Sequence, residues 1–317
     1  MALLNDPVSA KMALLAMYAE DMYEELGEDQ KTADPKFDER VALQGLDFVQ
    51  YIYGQDGLHI QRRLHLGDTL YYGYIAKRRA SDEYLVVVRG TENWMEWGED
   101  ADFPQVPCPH GGKVEDGFWS IYRSMSLARG AVAAPGDTYS KIATDILELV
   151  GSSPVRVIGH SLGSALATYL TLELALLRAP SGATTAATLF ASPRPGDMDF
   201  RNLFLKSVGG GNLTLYNYRP DLVPQVPKFF GYSPLPFTEI DPGRAQADIM
   251  GLSFKSMIDG QCMKDVAAAH HAVCYAAMLD YWGTIASPLH ASVDKGCFGC
   301  ILGPNPLLGP KPLGTPS

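Results

Sequence analysis

The most informative stretch of the sequence reads Val155-Arg156-Val157-Ile158-Gly159-His160-Ser161-Leu162-Gly163. Its first four residues form a short β-branched run that predicts a strand, and the apolar residues after it predict a long helix to about Arg178. A Gly-x-Ser-x-Gly pattern between a strand and a helix predicts a strained turn that exposes the central hydroxyl at the helix N-terminus. Ser161 is therefore the candidate nucleophile.

A serine hydroxyl becomes a good nucleophile when a base removes its proton and a carboxylate orients that base. In a chain with this turn, the acid and then the histidine follow the serine. Asp221 comes just after the apolar run 213–218, at a predicted strand end, and is the favoured acid. Asp197 and Asp199 are the alternatives, and their surroundings are more typical of structural turns.

Three histidines follow the serine, at positions 270, 271 and 290. His290 lies beyond the last predicted helix, in an irregular region rich in Gly and Pro. The last predicted helix covers about 271–283, and His270 and His271 stand at its start. From the residues alone, either of the two could be the base.

Working outward, apolar residues spaced three and four apart predict helices over about 9–26 and 41–53. Short β-rich runs follow at 59–66, 69–77 and 83–88, and Gly67-Asp68 predicts a hairpin turn between the first two. Residues 92–117 have the composition of a loop, a helix is predicted over about 138–150, and 187–191 and 213–218 have the pattern of buried strands. Strands alternating with helices predict an α/β fold with a mostly parallel sheet.

We expect a single domain over residues 1–285, with N-terminal helices over 9–53, followed by an irregular tail over 286–317. The net charge of −10 argues against nucleic acid as a partner, because a phosphate-binding surface needs a basic stripe. The sequence shows no signal peptide and no transmembrane stretch, which predicts a cytoplasmic protein or one exported without a leader. Cys297 and Cys300 form one Cys-x-x-Cys pair, most simply two thiols of the tail, with a zinc or redox role as the alternative.

Several motifs, in this order, resemble the class 3 lipases, a family with the α/β-hydrolase fold found in fungal triacylglycerol lipases. The resemblance covers roughly residues 60–285. The motifs are Val86-Val87-Val88-Arg89-Gly90-Thr91, Trp97-Gly98-Glu99-Asp100, Gly117-Phe118, the Gly159–Gly163 turn, Ser192-Pro193-Arg194-Pro195-Gly196-Asp197 and Asp221-x-Val223-Pro224.

The resemblance implies that Thr91 supplies an oxyanion-hole amide and its hydroxyl, and that Leu162 supplies the second amide. It also implies a lid over about 92–102, in which Trp94 and Trp97 share one face of a short helix, although core positions for both are the alternative. A His-x4-Tyr spacing in the family favours His270, five residues before Tyr275, whereas members with a shorter spacing would favour His271.

The resemblance implies a lipase or esterase that cleaves acylglycerol or other lipid esters through a Ser-Asp-His triad, without metal or cofactor. A phospholipase A-type hydrolase or membrane-damaging effector is the alternative, and a non-catalytic binding module is a remote one. The substrate would be a lipid ester at a lipid–water interface, and the oligomeric state is left open. The chain departs from the family pattern at Glu115-Asp116, where a histidine commonly precedes the Gly-Phe pair.

Overall fold

The computed structural model describes residues 6–60, 63–90, 103–134, 136–219, 221–227, 231–240 and 270–280. Its helices are α1 (Pro7–Glu24), α2 (Glu39–Leu43), α3 (Asp116–Arg123), α4 (Lys141–Val150), α5 (Leu162–Arg178), α6 (Met198–Val208) and α7 (Ala272–Leu279). Its strands are β1 (Leu46–Ile60), β2 (Arg63–Arg78), β3 (Tyr84–Val88), β4 (Gln105–Pro107), β5 (Lys113–Glu115), β6 (Val155–His160), β7 (Thr185–Phe190), β8 (Leu213–Tyr218) and β9 (Thr238–Ile240).

Seven strands form one sheet in the order β1-β2-β3-β6-β7-β8-β9. The pairs β1–β2 and β2–β3 are antiparallel, and every pair from β3 to β9 is parallel. The predicted α/β fold with a mostly parallel sheet is confirmed. Because β3, β6, β7 and β8 are parallel, their carboxyl ends meet at one edge, where loops bring functional side chains together.

Helices cover both faces of this sheet and make two hydrophobic cores. Strand β3 shows the division, since Val87 faces the core that α1 and α7 cover, whereas Val86 and Val88 face the core under α3, α4, α5 and α6. Alternate side chains of a strand point to opposite faces, so a run of valines can serve both cores. The sheet is thereby held rigidly behind its carboxyl edge.

The predicted helix over 41–53, and with it the expected helical region over 9–53, is wrong in its second half. Residues 39–43 form the short helix α2, and the chain then enters strand β1 at Leu46. Register shifts against β2 fall between Phe48 and Gln50 and between Ile52 and Tyr53. Such bulges break the two-residue alternation of a strand, so the apolar spacing imitated a helix.

The hairpin turn predicted at Gly67-Asp68 is also wrong. Both residues lie inside β2, and Ile60 pairs with Arg63 across the connection between the strands. The register shifts between Gln55 and Gly57, opposite Gly67-Asp68, so these residues mark a bulge rather than a turn. Within the predicted loop 92–117, the short strands β4 and β5 pair with each other.

Helix α5 runs through the core directly behind the Gly-x-Ser-x-Gly turn. In the part of the chain that the structure describes, Leu162–Ser181 is the one helical segment with the length and apolar composition of a membrane span, and 83% of its window is buried inside the fold. Core helices pass the same test of length and composition, so the result is weak evidence for a span. The expected tail over 286–317 lies outside the described residues, and the domain boundary at 285 stays a prediction.

Candidate active site

The candidate nucleophile Ser161 occupies a sharp turn between β6 and α5. Its φ is 57° and its ψ is −131°, an uncommon conformation for a residue with a side chain. A Cβ atom on Gly159 would lie 2.4 Å from the Gly163 carbonyl oxygen, and one on Gly163 would lie 2.5 Å from the Arg89 oxygen. The two glycines are therefore required by close backbone approach, and the strained turn is the one that the sequence pattern predicts.

His270 and Asp221 meet Ser161 at the carboxyl edge of the sheet. The His270 Nε2 atom lies 2.7 Å from the Ser161 Oγ atom, and the Nδ1 atom lies 2.9 Å from Asp221 Oδ2. All three side chains are buried. His271, the alternative base, is half-buried and is the N-cap residue of α7. The structure thus brings His270 into a hydrogen-bonded chain with the serine and the carboxylate.

The Asp221 carboxylate is held by two further donors. Its Oδ1 atom accepts a hydrogen bond from the Val223 amide at 2.9 Å, and Oδ2 accepts one from the Tyr275 hydroxyl at 2.7 Å. The same hydroxyl accepts a hydrogen bond from the Tyr218 amide at 2.9 Å. In the sequence Tyr275 served only as a spacing marker, and the structure gives it a contact with the carboxylate that orients the base.

Burial sets the electrostatics of the base and its neighbours. It lowers the pKa of His270 below the ordinary value of 6.5, against the opposing effect of Asp221. Burial and the negative charge of Asp221 raise the pKa of Tyr275 well above its ordinary value. At neutral pH His270 is therefore a neutral imidazole ready to accept a proton, and Tyr275 is a protonated donor.

Part of the predicted oxyanion hole lies within the described residues. Leu162 is the first residue of α5, so its amide belongs to the helical N–H groups that have no acceptor in their own helix. Thr91, Trp94 and Trp97, with the predicted lid, lie outside the described residues. The nearest described residue, Gly90, has its carbonyl held by the Arg89 guanidinium at 2.8 Å.

Arg89 is a buried residue that sequence reasoning left without a role. Its Nε atom donates to the Tyr71 carbonyl at 2.7 Å, and its guanidinium lies over the Tyr23 ring at 3.6 Å. The sequence signal for a buried, hydrogen-bonded arginine is a charged residue directly after a buried strand. A buried guanidinium needs several acceptors, and the surrounding backbone can supply them. Here it fixes the backbone where β3 leads toward Thr91.

The rival acid Asp197 has a structural contact. Its carboxylate accepts a hydrogen bond from the Phe200 amide at 2.8 Å as the N-cap of α6, and Asp199 lies in the first turn of that helix. Glu115, which stands where the family commonly has histidine, is the N-cap of α3 and accepts from the Phe118 amide at 2.6 Å. Both positions serve helix starts.

Cys108 and Cys274 are buried and take part in no disulfide, while Cys297 and Cys300 lie outside the described residues. Among the residues that the structure describes, no group of three or more His, Cys, Asp or Glu side chains is arranged to hold a metal ion.

Comparison with known proteins finds a match to a family model and a similar fold. Residues 85–231 match the model of the lipase (class 3) family. The chain is 32% identical over 173 residues to phospholipase A1-II 4 of Oryza sativa subsp. japonica, a match covering 48% of this chain and 41% of that one. Phospholipase A1-II 6 of the same subspecies is 32% identical over 191 residues, covering 50% and 46%. The chain thus spans less than half the length of these relatives.

Among solved structures, the Rhizomucor miehei lipase in its propeptide complex superposes with a TM-score of 0.50 at 21% identity. The superposition covers 74% of this chain and 69% of that one. At this identity the likeness concerns the fold, and it agrees with the seven-stranded, mostly parallel sheet flanked by helices. The predicted α/β-hydrolase fold is therefore confirmed.

Proposed function

We propose that the protein is a serine carboxyl-ester hydrolase of the class 3 lipase family acting on lipid esters, and the match of residues 85–231 to that family's model supports this proposal. Acylglycerols are the first substrate class. The catalytic groups are Ser161 as nucleophile, His270 as base and Asp221 as the carboxylate that orients the base.

One observation carries this proposal, the continuous chain of short contacts from Ser161 Oγ through the His270 ring to Asp221 Oδ2. Each link has hydrogen-bond length, and the order of groups is the one that acyl transfer from an ester to water needs. A histidine with only a structural role is not expected to link a serine in a strained turn to a buried carboxylate. The strain at Ser161 and the two extra donors on Asp221 further support a chemical role.

In the first half-reaction, His270 removes the Ser161 proton as Oγ attacks the ester carbonyl carbon. The carbonyl oxygen becomes an oxyanion, which the Leu162 amide at the start of α5 and, by family resemblance, Thr91 stabilise. His270 then gives the proton to the departing alcohol as the carbon–oxygen bond breaks, which leaves an acyl group on Ser161. Asp221 stabilises the imidazolium in between and keeps the ring in the correct tautomer.

In the second half-reaction, water replaces the alcohol. His270 takes a proton from the water as its oxygen attacks the acyl carbon, and returns that proton to Ser161 Oγ as the acyl–serine bond breaks. A fatty acid is released and the enzyme is restored. These residues complete the cycle with no group from outside the chain except water.

Hydrolysis of p-nitrophenyl esters of increasing chain length, below and above their solubility, tests this proposal directly. We expect turnover in the parent protein and a loss of at least about 10⁴-fold in Ser161→Ala, because nucleophile and base act as a unit. Ser181→Ala, at a serine near the end of the α5 region, is the matched control and should keep full activity. Turnover of Ser161→Ala within tenfold of the parent would contradict the proposal.

A phospholipid substrate is the second candidate, and the matched relatives favour it, since the two described above are named phospholipases A1. Triacylglycerol and phosphatidylcholine emulsions of matched droplet size, compared by rate of fatty-acid release, separate the two substrates. A phospholipid rate at least tenfold higher would make the protein a phospholipase A-type hydrolase with the same three catalytic groups.

A further inference from the structure

His160, the residue directly before the proposed nucleophile, is buried and has both ring nitrogens in close contact with oxygen atoms. Its Nδ1 atom lies 2.9 Å from the Glu20 Oε1 atom of helix α1. Its Nε2 atom lies 2.6 Å from the backbone carbonyl oxygen of His270. The two contacts join the N-terminal helix, the nucleophile turn and the segment that carries the proposed base.

The nature of these partners determines the charge of the ring. A neutral imidazole has one N–H donor and one bare nitrogen, which would face an oxygen lone pair across one of the two contacts. The His270 carbonyl oxygen can only accept, and so can Glu20 when it is ionised, so with an ionised Glu20 both contacts are satisfied together when both ring nitrogens carry protons. The geometry therefore points to an imidazolium at His160 paired with a carboxylate at Glu20.

The surroundings agree with this assignment. Burial alone would lower the pKa of His160, but the charge and hydrogen bond of Glu20, followed by the His270 carbonyl, raise it overall. Burial alone would raise the pKa of Glu20, and His160 outweighs it, so that the pKa is lowered. The other titratable groups acting on the pair are Asp221, the His270 ring, and His271, whose charge acts on Glu20; the Tyr275 ring lies 6.0 Å from the His160 ring.

Glu20 has a second contact that reaches the other side of the site. Its Oε1 atom also accepts a hydrogen bond from the Gly90 amide at 3.2 Å. Gly90 directly precedes Thr91, the residue expected to supply an oxyanion amide. A Cβ atom on Gly90 would lie 2.7 Å from this carboxylate oxygen, so glycine is what allows the close approach. One carboxylate from α1 thus contacts the backbone on the oxyanion side and, through His160, the backbone of the base.

The position of the charge also matters for the base. The His160 and His270 rings lie 4.8 Å apart between centroids, so a positive His160 opposes a second positive charge on His270. Asp221 and Glu20 act in the opposite direction on His270. The repulsion by His160 is larger than the attraction of Glu20, so the pair as a whole lowers the pKa of His270.

We propose that Glu20, which is half-buried, and the buried His160 form one ion pair that positions the base His270 and keeps it unprotonated under mildly acidic conditions. The effect on the base rests on the proposed function, whereas the ion pair itself rests on the contacts of His160. Glu20 is a positioning residue in this scheme, since it acts through His160 and through the Gly90 backbone.

The kinetic test compares the parent with Glu20→Gln, in which the amide nitrogen can donate to Nδ1 of a neutral His160, so that this contact persists without the charges while the contact with the Gly90 amide is lost. We expect the acid limb of the profile of kcat/KM against pH to move up by about half to one pH unit, from Coulomb's law at an effective dielectric of about 20. Glu25→Gln, at an exposed position just after α1, should leave the limb in place. An acid limb within about 0.2 unit of the parent in Glu20→Gln, which is less than half of the smallest expected shift, would overturn the kinetic part.

The second measurement is independent of activity. In the full chain carrying Ser161→Ala and ¹⁵N-labelled histidine, the His160 nitrogens report their protonation directly in NMR spectra. We expect both nitrogens protonated at pH 7 in the parent background and one after Glu20→Gln. A single protonated nitrogen at His160 in the parent background overturns the ion pair. If the protein hydrolyses no ester while both nitrogens are protonated, the proposed function fails and the ion pair stands.

Discussion

At the scale of single residues, the choice between two adjacent histidines depends on backbone direction. His270 precedes α7 by two residues and His271 is its N-cap, and successive side chains around a helix start diverge by about 100°. Sequence spacing to Tyr275 favoured His270, and the structure places that ring against Ser161 and Asp221. A helical wheel alone would have left both open.

Alanine at each histidine in turn gives the first prediction. His270→Ala should lower turnover by several orders of magnitude, because without a base the Ser161 hydroxyl is a poor nucleophile. His271→Ala should cost less than tenfold, because the His271 side chain makes no capping hydrogen bond to α7. Single-turnover rates on a soluble ester measure both effects. If His271→Ala is the inactive variant and His270→Ala is active, the assignment must move by one residue.

Tyr275→Phe carries the second prediction. The variant loses the hydroxyl that donates to Asp221 and accepts from the Tyr218 amide, so we expect kcat to fall about tenfold and the free energy of unfolding to fall by roughly 1–3 kcal/mol. KM should change little, since the hydroxyl contacts Asp221 rather than substrate. Steady-state kinetics and urea unfolding are the measurements. A fall in stability with unchanged kcat would reduce Tyr275 to a packing role.

The sequence predicted some of these residues and missed others for a physical reason. Ser161 was accessible because its turn is local, and Asp221 because parallel strands end at the same edge of a sheet. Glu20 was not accessible, because it lies in an apolar helix 140 residues before its partner His160, and its contact depends on how α1 docks. Arg89 is similar, since one of its acceptors, the Tyr71 carbonyl, lies in another strand.

At the scale of elements, three helices begin at N-cap side chains that accept hydrogen bonds from backbone amides. Ser140 caps α4, Asp197 caps α6 and Glu115 caps α3. The sequence predicted α1, α4 and α5 well, because each has a regular apolar face or a clear start. It missed β1, whose bulges imitate helical spacing, and it placed the β1–β2 turn at a bulge.

Glu115 provides the third prediction, because burial raises its pKa to about 7 from an ordinary 4.5. In this window the native carboxyl is protonated while the unfolded one is ionised, so native stability falls as pH rises from 4.5 through 7. Glu115→Gln cannot ionise and keeps an oxygen for the Phe118 amide. Relative to the parent, we expect it to gain about 1–3 kcal/mol between pH 5 and pH 8.

Urea unfolding of both proteins at several pH values measures this difference. Asp199→Asn is the matched control, since this exposed carboxylate also lies in the first turn of a helix but does not act on Glu115. A stability difference between Glu115→Gln and the parent that stays constant from pH 5 to pH 8 would contradict a raised pKa at this cap.

The lid predicted over 92–102 gives the fourth prediction, which rests on sequence alone. Replacing Trp94 and Trp97 with alanine should reduce the rate on emulsified long-chain esters at least tenfold more than the rate on soluble short-chain esters. The reason is that an apolar face on a lid meets lipid only at an interface. Equal losses on both substrates would place the two tryptophans in the core.

At the scale of the whole molecule, the net charge of −10 limits the surfaces that the protein can approach. Anionic lipid repels an acidic protein over about a Debye length, which is about 10 Å at 0.1 M salt. A zwitterionic or neutral interface suits the chain better.

The fifth prediction follows from this charge. Adding anionic lipid to zwitterionic substrate vesicles at low salt should slow hydrolysis several-fold, and raising the salt to 0.5 M should restore most of the rate, since screening shortens the repulsion. Initial rates over a series of lipid compositions provide the measurement. A rate that rises with anionic lipid would indicate a local basic contact strong enough to override the net charge.

The docking of α1 beside α7 has a consequence for the order of events during synthesis. The Asp6 amide donates to the Leu279 carbonyl at 3.0 Å, and the Asp6 carboxylate accepts from the Tyr216 hydroxyl at 2.9 Å. At roughly 5–20 residues per second, the ribosome makes α7 on the order of 10–50 s after α1. During that interval the apolar face of α1 has no α7 to cover it, and the proposed base has not yet been made. The nascent chain therefore has the nucleophile turn well before the site is complete. We expect a chaperone that binds the uncovered apolar face of α1 to be released when α7 emerges.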